Sequence, residues 1–267
     1  MKHIGKYIYG IIAAEDAPNF GPMGIGGHHD EVMTIGTKGL AAVVSNASMD
    51  HYVVSKENLA AHTKVIEKVM ESYTVLPMRF CTVAETADEI IAFLEKNARE
   101  LKNELKDMDG KVEVDIKILW TNMKKIYEEI GKENKKIREL KAKGAQNRQA
   151  LIHAGELVAT ALEEKKAVES EEYLKPLKKA AKAFKENEPH IDEMVAHYSF
   201  LVDKDWLGEF DNVVEELGEE FKDRVRIQYV GPMAPFNFVD LQLHWEESEG
   251  EQYGSKTRTL GLLRDRK

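Results

Sequence analysis

Cys81 is the only cysteine in the chain, and it lies in TVLPMRFCTV, residues 74–83, two positions after Arg79. A thiolate beside a guanidinium would be a stabilised nucleophile, and nucleophilic thiol chemistry is the first reading this stretch invites. Such a thiol also needs a base or a helix N-terminus. No histidine lies within ten residues on either side, although a helix begins near Thr86. The competing reading makes Cys81 a small packing residue at a strand end, as free cysteines usually are, and that reading is preferred.

His28, His29, Asp30 and Glu31 place four metal-competent side chains in a row. Neighbours in an extended segment point to opposite faces, so a tetrahedral site could use only two of them. His190, Glu193 and His197 are a second such set, but Pro189 and the strand that follows deny them a common helix. The glycine-rich GPMGIGG, residues 21–27, lacks the Gly-Lys-Ser/Thr ending of a phosphate loop and reads as a mobile loop. Residues 121–148 carry nine Lys/Arg against four acids in a chain of net charge −9. Nucleic-acid binding through this segment is therefore an alternative. The lysines sit beside glutamates, however, and aromatics for stacking are nearly absent, as in a solvated helical arm that binds protein.

No catalytic, cofactor-binding or metal-ligating residue is assigned, and no cofactor is expected. A lone cysteine fits a reducing compartment. No apolar run reaches the length of a membrane span, and IYGII near the start is too short for a secretory leader. The expectation is a cytoplasmic protein without nucleic acid, membrane or small-molecule substrate.

The elements that must position these residues follow from periodicity. KYIYGIIAA, EVMTIG and GLAAVVSNA read as strands, the last two joined by the hairpin spacer Thr37-Lys38-Gly39. Ser55 caps a helix with Leu59, His62, Ile66, Val69 and Tyr73 on one face. TVLPMRF is a strand, at an edge or bulged because Pro77 has no N–H. Thr86 and Glu89 form a capping box on the next helix. In KVEVDIKILW, residues 111–120, Val112, Val114, Ile116 and Ile118 alternate with Glu113, Asp115 and Lys117, giving one buried and one wet face.

Residues 121–168 predict a helical hairpin or one long bent helix. Met123, Ile126, Ile130, Ile137 and Leu140 form a coiled-coil-like seam that Glu133 interrupts. A further helix is expected over 171–187, broken from its neighbours by Ser170 and Pro189. Strands follow at 194–203, 224–231 and 235–243. Between the first two runs a helix with Trp206, Phe210, Val213, Leu217 and Phe221 on its apolar face. The predicted class is α+β in two domains, antiparallel sheets with helices. Residues 1–110 form the first. Residues 111–245 form a modified ferredoxin-like second domain with a helical insertion at 121–188, and 246–267 is a polar tail, loose at its end.

YIYGII, GLAAVVS, TVLPMRFCTV with its following helix, KVEVDIKILW and YVGPMAPFNFV occur in an order that resembles the gas vesicle GvpF/GvpL family over most of the chain. TVLPMRF is the most specific of these. Cys81 stands where the family pattern leads one to expect glycine, and Ala84 where it leads one to expect an aromatic. The resemblance implies two α+β domains and an accessory or minor structural role in assembling gas vesicles, without catalysis. It also implies contact with the small hydrophobic shell protein GvpA and with other accessory proteins. On this reading Arg79 is structural, and a buried carboxylate or carbonyl partner is expected for it, since an unpaired buried charge is too costly.

Overall fold

The computed structural model of the chain describes residues 4–27, 30–48, 52–144, 147–239, 241–249 and 256–263. Contacts divide it into two units, Met1–Val112 with Met233–Lys267, and Glu113–Pro232.

In the first unit β-branched and aromatic residues make β1 (Ile4–Ile12), β3 (Glu31–Thr37) and β4 (Leu40–Ser48). Shorter strands are β2 (Gly21–Pro22), β5 (Val75–Pro77) and β6 (Val83–Ala84). Their order is β2-β3-β4-β1-β5, with β6 also paired to β1, and the pairings are antiparallel. Lys38 and Gly39 turn the β3–β4 hairpin with φ of 53° and 78°, the left-handed pair that a two-residue connection requires. Pro77 lies on the edge strand, where its missing N–H costs no ladder bond.

Helix α1 (Lys56–Met70) starts at Ser55, whose hydroxyl accepts the Asn58 N–H, and buries His62, Val65, Ile66 and Val69. Helix α2 (Ala87–Lys96) opens with the Thr86–Glu89 capping box, and α3 (Ala98–Met108) follows. The core gathers Tyr7, Tyr9, Ile12, Ile25, Val43, Val65, Ile66 and Val69.

Two expectations change here. The glycine-rich stretch is not a free loop: Gly21–Pro22 pairs with β3, the Gly24 N–H donates to the Asp30 carbonyl at 2.9 Å, and Ile25 is fully buried. TVLPMRF is a strand only as far as Pro77. Met78 still donates its N–H to the Tyr9 carbonyl at 2.9 Å, and the chain then turns at Phe80 and Cys81.

The second unit is built on β7 (Lys111–Trp120), β8 (Ala183–Asn187), β9 (Met194–Asp203) and β10 (Val225–Met233), in the order β10-β7-β9-β8. Its helices are α4 (Met123–Glu133), α5 (Lys135–Gly144), α6 (Arg148–Ala180) and α7 (Leu207–Glu220). Val114, Ile116, Ile118 and Trp120 of β7 pack with Tyr198, Phe200 and Val202 of β9 against Ile126, Ile130, Leu174, Leu177 and Phe210.

The opposite face of β7 is not wet, as its alternation suggests. Glu113 is fully buried and Asp115 partly so. The interrupted seam is real: α4 ends at Glu133, and the Asn134 carboxamide accepts the Lys136 and Ile137 N–H groups to start α5. Packing of α5 on α6 makes a hairpin; residues 145 and 146 between them lie outside the described set.

Helix α6 runs unbroken for 33 residues through Ser170 and Pro176. Burial of Tyr173, Leu174 and Leu177 on both sides of the proline outweighs its cost of about 3 kcal/mol. The helix expected to reach residue 187 stops at Ala180, and 183–187 joins the sheet as β8. Residues 236–238 of the expected last strand form a turn, with the Phe238 N–H on the Pro235 carbonyl at 3.0 Å. The tail is not loose throughout. Gln242–Glu249 (β11) and Lys256–Leu263 (β12) pair antiparallel, from Gln242 opposite Leu263 to Glu249 opposite Lys256.

Gly10 follows a register shift in β1 where β5 comes close. A Cβ there would fall 2.6 Å from Val75 Cγ2 and 2.9 Å from the Leu76 carbonyl oxygen. Since that oxygen is backbone, Gly10→Ala should destabilise the chain by about 2–3 kcal/mol, read as a lower urea midpoint at unchanged m.

Candidate functional site

The turn at Phe80–Cys81 is held by two buried groups from distant parts of the chain. The His62 ring on α1 places Nε2 at 3.2 Å from the Met78 carbonyl, which can only accept, so Nε2 carries the proton. In the neutral ring Nδ1 is then an acceptor, and the Tyr7 hydroxyl, 3.0 Å away, donates to it. That oxygen in turn accepts the Cys81 N–H at 2.9 Å. Burial drives the His62 pKa down to about 4, with the Met78 carbonyl opposing, and keeps the imidazole neutral. Burial also raises the Tyr7 phenol far above its ordinary value, against the opposing pull of the Cys81 N–H. Tyr9 repeats the device: its hydroxyl accepts the Ile25 N–H at 2.8 Å and pairs with Ser45 Oγ at 2.9 Å. The rings of Tyr7, Tyr9, His62 and Phe80 pack together. Hence no proton in this cluster faces an open site.

Cys81 itself has φ of 70° and is half-buried. That is the left-handed region, which a side chain enters at a cost of about 1–2 kcal/mol and glycine enters freely. Glycine, which the family pattern leads one to expect here, would enter it without that cost. Arg79 is exposed, where a buried charge was expected. Its carbonyl accepts the Thr82 hydroxyl at 2.7 Å across the turn.

The second unit has its own polar centre at the root of the helices. Arg224 reaches Glu129 of α4 with both terminal nitrogens, at 2.7 and 2.8 Å, and Glu169 of α6 through Nε and Nη2, at 3.2 and 2.5 Å. Glu169 also accepts from Trp120 Nε1 at 2.7 Å and the Tyr173 hydroxyl at 3.0 Å. Lys165 adds a bond to Glu129 at 3.3 Å and one to Glu133 at 3.2 Å. Hydrogen bonding from Arg224 holds the Glu129 carboxyl below its usual range. Burial would raise Glu169, but its bonds to Arg224 and Trp120 prevail and lower it. Such bidentate forks fix geometry. The sequence hides this group, because Glu129 and Glu169 look like ordinary helix-surface acids 40 residues apart.

Asp115, His197 and Ser199 come together across β7 and β9. His197 Nε2 lies 2.8 and 3.0 Å from the two Asp115 oxygens, Ser199 Oγ donates to Asp115 at 3.2 Å, and Asn187 Nδ2 donates to Ser199 at 2.9 Å. The serine bonds the carboxylate, not the imidazole, so nothing here would take its proton as a nucleophile needs. His190 approaches only as a ring, 5.8 Å from His197. Among the described residues no three His, Cys, Asp or Glu converge as for a metal ion, and no helix is long and apolar enough to cross a membrane. His28 and His29 lie outside those residues.

The helices of the second unit also expose apolar and cationic side chains. Leu151 and Ile152, at the start of α6, are 53% and 55% exposed, and Val168 is 73% exposed. Lys124, Lys132 and Lys141 of α4 and α5 are exposed.

Residues 5–240 match the family described as "Gas vesicle synthesis protein GvpL/GvpF". The chain is 29% identical to gas vesicle protein F of Microcystis aeruginosa, over 89% of this chain and 99% of that protein. It is 28% identical to gas vesicle protein F1 of Halobacterium salinarum, over 91% and 97%. The crystal structure of GvpF from Microcystis aeruginosa superposes with a TM-score of 0.75 at 28% identity, covering 89% of this chain and 99% of that one. That of GvpF from Anabaena sp. PCC7120 gives 0.75 at 24% identity, a likeness of fold.

Two outcomes test the clamp. Cys81→Gly should raise stability by about 0.5–1 kcal/mol in urea melts, whereas Cys81→Val should lower it. The unfolded imidazole titrates near 6.5 and the folded one near 4, so below 6.5 the unfolded chain binds more protons. Stability present above pH 6.5 should therefore fall as pH drops, by about 3 kcal/mol at pH 4 from this group. His62→Gln should lack that part of the slope; an unchanged slope would remove His62 as its source.

Proposed function

This chain belongs to the GvpL/GvpF gas vesicle synthesis family, and from that premise we propose that it acts in gas vesicle assembly. It is an accessory or minor structural protein, not an enzyme, working in the cytoplasm and at the vesicle. Its partners are the small hydrophobic shell protein GvpA and other accessory proteins. The match over residues 5–240 is the observation that carries this reading. The geometry supports it: the buried histidine, tyrosines and carboxylates described above bond one another, and their bonds order a turn, a loop and a helical root.

A shell protein that buries an apolar face only on assembly needs cover beforehand, and that cover must itself expose apolar surface. Val75, Leu76 and Pro77 of the edge strand β5 and Ile25 of the glycine-rich stretch are buried. The helical hairpin, with Leu151 and Ile152 exposed, is the contact proposed here.

Co-expression of the full chain with the shell protein, followed by affinity capture of this chain, should bring down soluble shell protein. Leu151→Asp with Ile152→Asp should reduce the captured amount about tenfold, a loss of roughly 1.4 kcal/mol, while circular dichroism stays native. Capture unchanged in that variant would move the contact off the hairpin. No soluble complex with the wild-type chain, both proteins being expressed, would overturn direct binding.

A further inference from the structure

Between α4 and α5 runs an open groove of about 730 Å³ whose floor is Met123, Tyr127 and Gly131 and whose rim includes Lys124, Lys132 and Lys141. Tyr127 is 38% exposed. Two other cations of these helices have partners: Lys135 pairs with Glu139, and Arg138 donates to the Gly131 and Lys132 carbonyls. The three rim lysines make no ion pair among the described residues, and Glu128 is the one carboxylate lining the groove. Beyond Gly131 there is nothing within 4 Å of where a Cβ would sit, so a partner's backbone can approach closely.

The same unit carries a surface of the opposite character. Helix α7 has six acids and no base. Asp211 takes the Tyr229 hydroxyl and Glu219 takes Lys222, which leaves Glu209, Glu215, Glu216 and Glu220 without a cation among the described residues. Trp206, one turn earlier and expected on the buried face, is instead 60% exposed. Glu209 and Glu216 lie about 10 Å apart along their helix and Lys124 and Lys132 about 12 Å along theirs, so the two rows match in spacing.

We propose that the α4–α5 groove receives α7 of a second copy of this chain, with Trp206 on Tyr127 and Met123 and the acidic row of α7 against the rim lysines. The contact is heterologous, groove to helix, and propagates head to tail into a ring or filament. It does not rest on the gas vesicle reading. A nucleic acid is the weaker occupant: it would meet a chain of net charge −9 and a groove with one aromatic ring.

Sedimentation equilibrium of the full chain at about 0.1 M salt, where distant repulsion between two acidic copies is largely screened, should show mass rising with concentration. Raising salt to about 1 M should reverse it. K124E/K132E/K141E should weaken association about tenfold or more, as should E209K/E216K/E220K; W206A should weaken it too. An equimolar mixture of the two charge-reversed variants should associate again, because each groove then meets an α7 of opposite sign. Gly131→Leu replaces a helix-interior glycine by a better helix former while filling the floor, so it should abolish association with the fold intact.

A chain that stays monomeric up to about 100 µM, well above a 10 µM (about −7 kcal/mol) affinity, would overturn the proposal. So would charge reversals without effect, or a mixture that fails to recover. Retardation of RNA that depends on the three lysines, in a chain that remains monomeric, would replace it with the nucleic-acid reading.

Discussion

A buried hydroxyl must find a donor and an acceptor, and Tyr7 finds both in segments 55 and 74 residues away. Losing either partner would strand a polar group at a cost of about 1–3 kcal/mol. The arrangement therefore holds together as a set: α1 delivers His62, His62 receives the proton of Tyr7 and holds Met78, and Cys81 closes the circle. The left-handed turn at Cys81, the short edge strand β5 and the pairing of β6 with β1 all follow from that meeting point. Tyr9, two residues on, ties Ile25 and Ser45 in the same manner. One strand thus organises the first unit through hydroxyls that its sequence shows only as aromatic residues.

In the second unit the same logic uses charge. Arg224 joins carboxylates from α4 and α6, and Trp120 of β7 donates to the Glu169 oxygen that also accepts from Arg224 Nε. Strand and two helices meet at one guanidinium. Polar chemistry that could have suggested catalysis is used in both units to fix geometry.

Much of this was legible from the residues. Ser55, the Thr86–Glu89 box and the Lys38-Gly39 turn each state a local rule that the fold obeys, and TVLPMRFCTV pointed to the family. What escaped were places where tertiary contacts override a local signal. Ser170 looks like a helix break, but Tyr173, Leu174 and Leu177 carry α6 past it and on through Pro176. His62 has the spacing of an apolar residue, so its hydrogen bonds were invisible until Tyr7 and Met78 were placed beside it. Trp206 fits the apolar stripe of α7 by number, yet it precedes the helix proper and faces outward. Glycine-rich composition suggested freedom at 21–27, where Ile25 supplies the anchor.

Helix α6 is clamped at Glu169 and continues 21 residues toward Arg148, about 32 Å, braced by α4 and α5. Mechanically this is a cantilever with its fixed end at the Arg224 pairs. The deflection of such a beam under a given load grows with the cube of its free length, so compliance is concentrated at the Leu151–Ile152 end. Adding or removing whole turns would retune that compliance without touching the root. The length of this helix is thus a parameter of stiffness, adjustable separately from the stability of the fold that carries it.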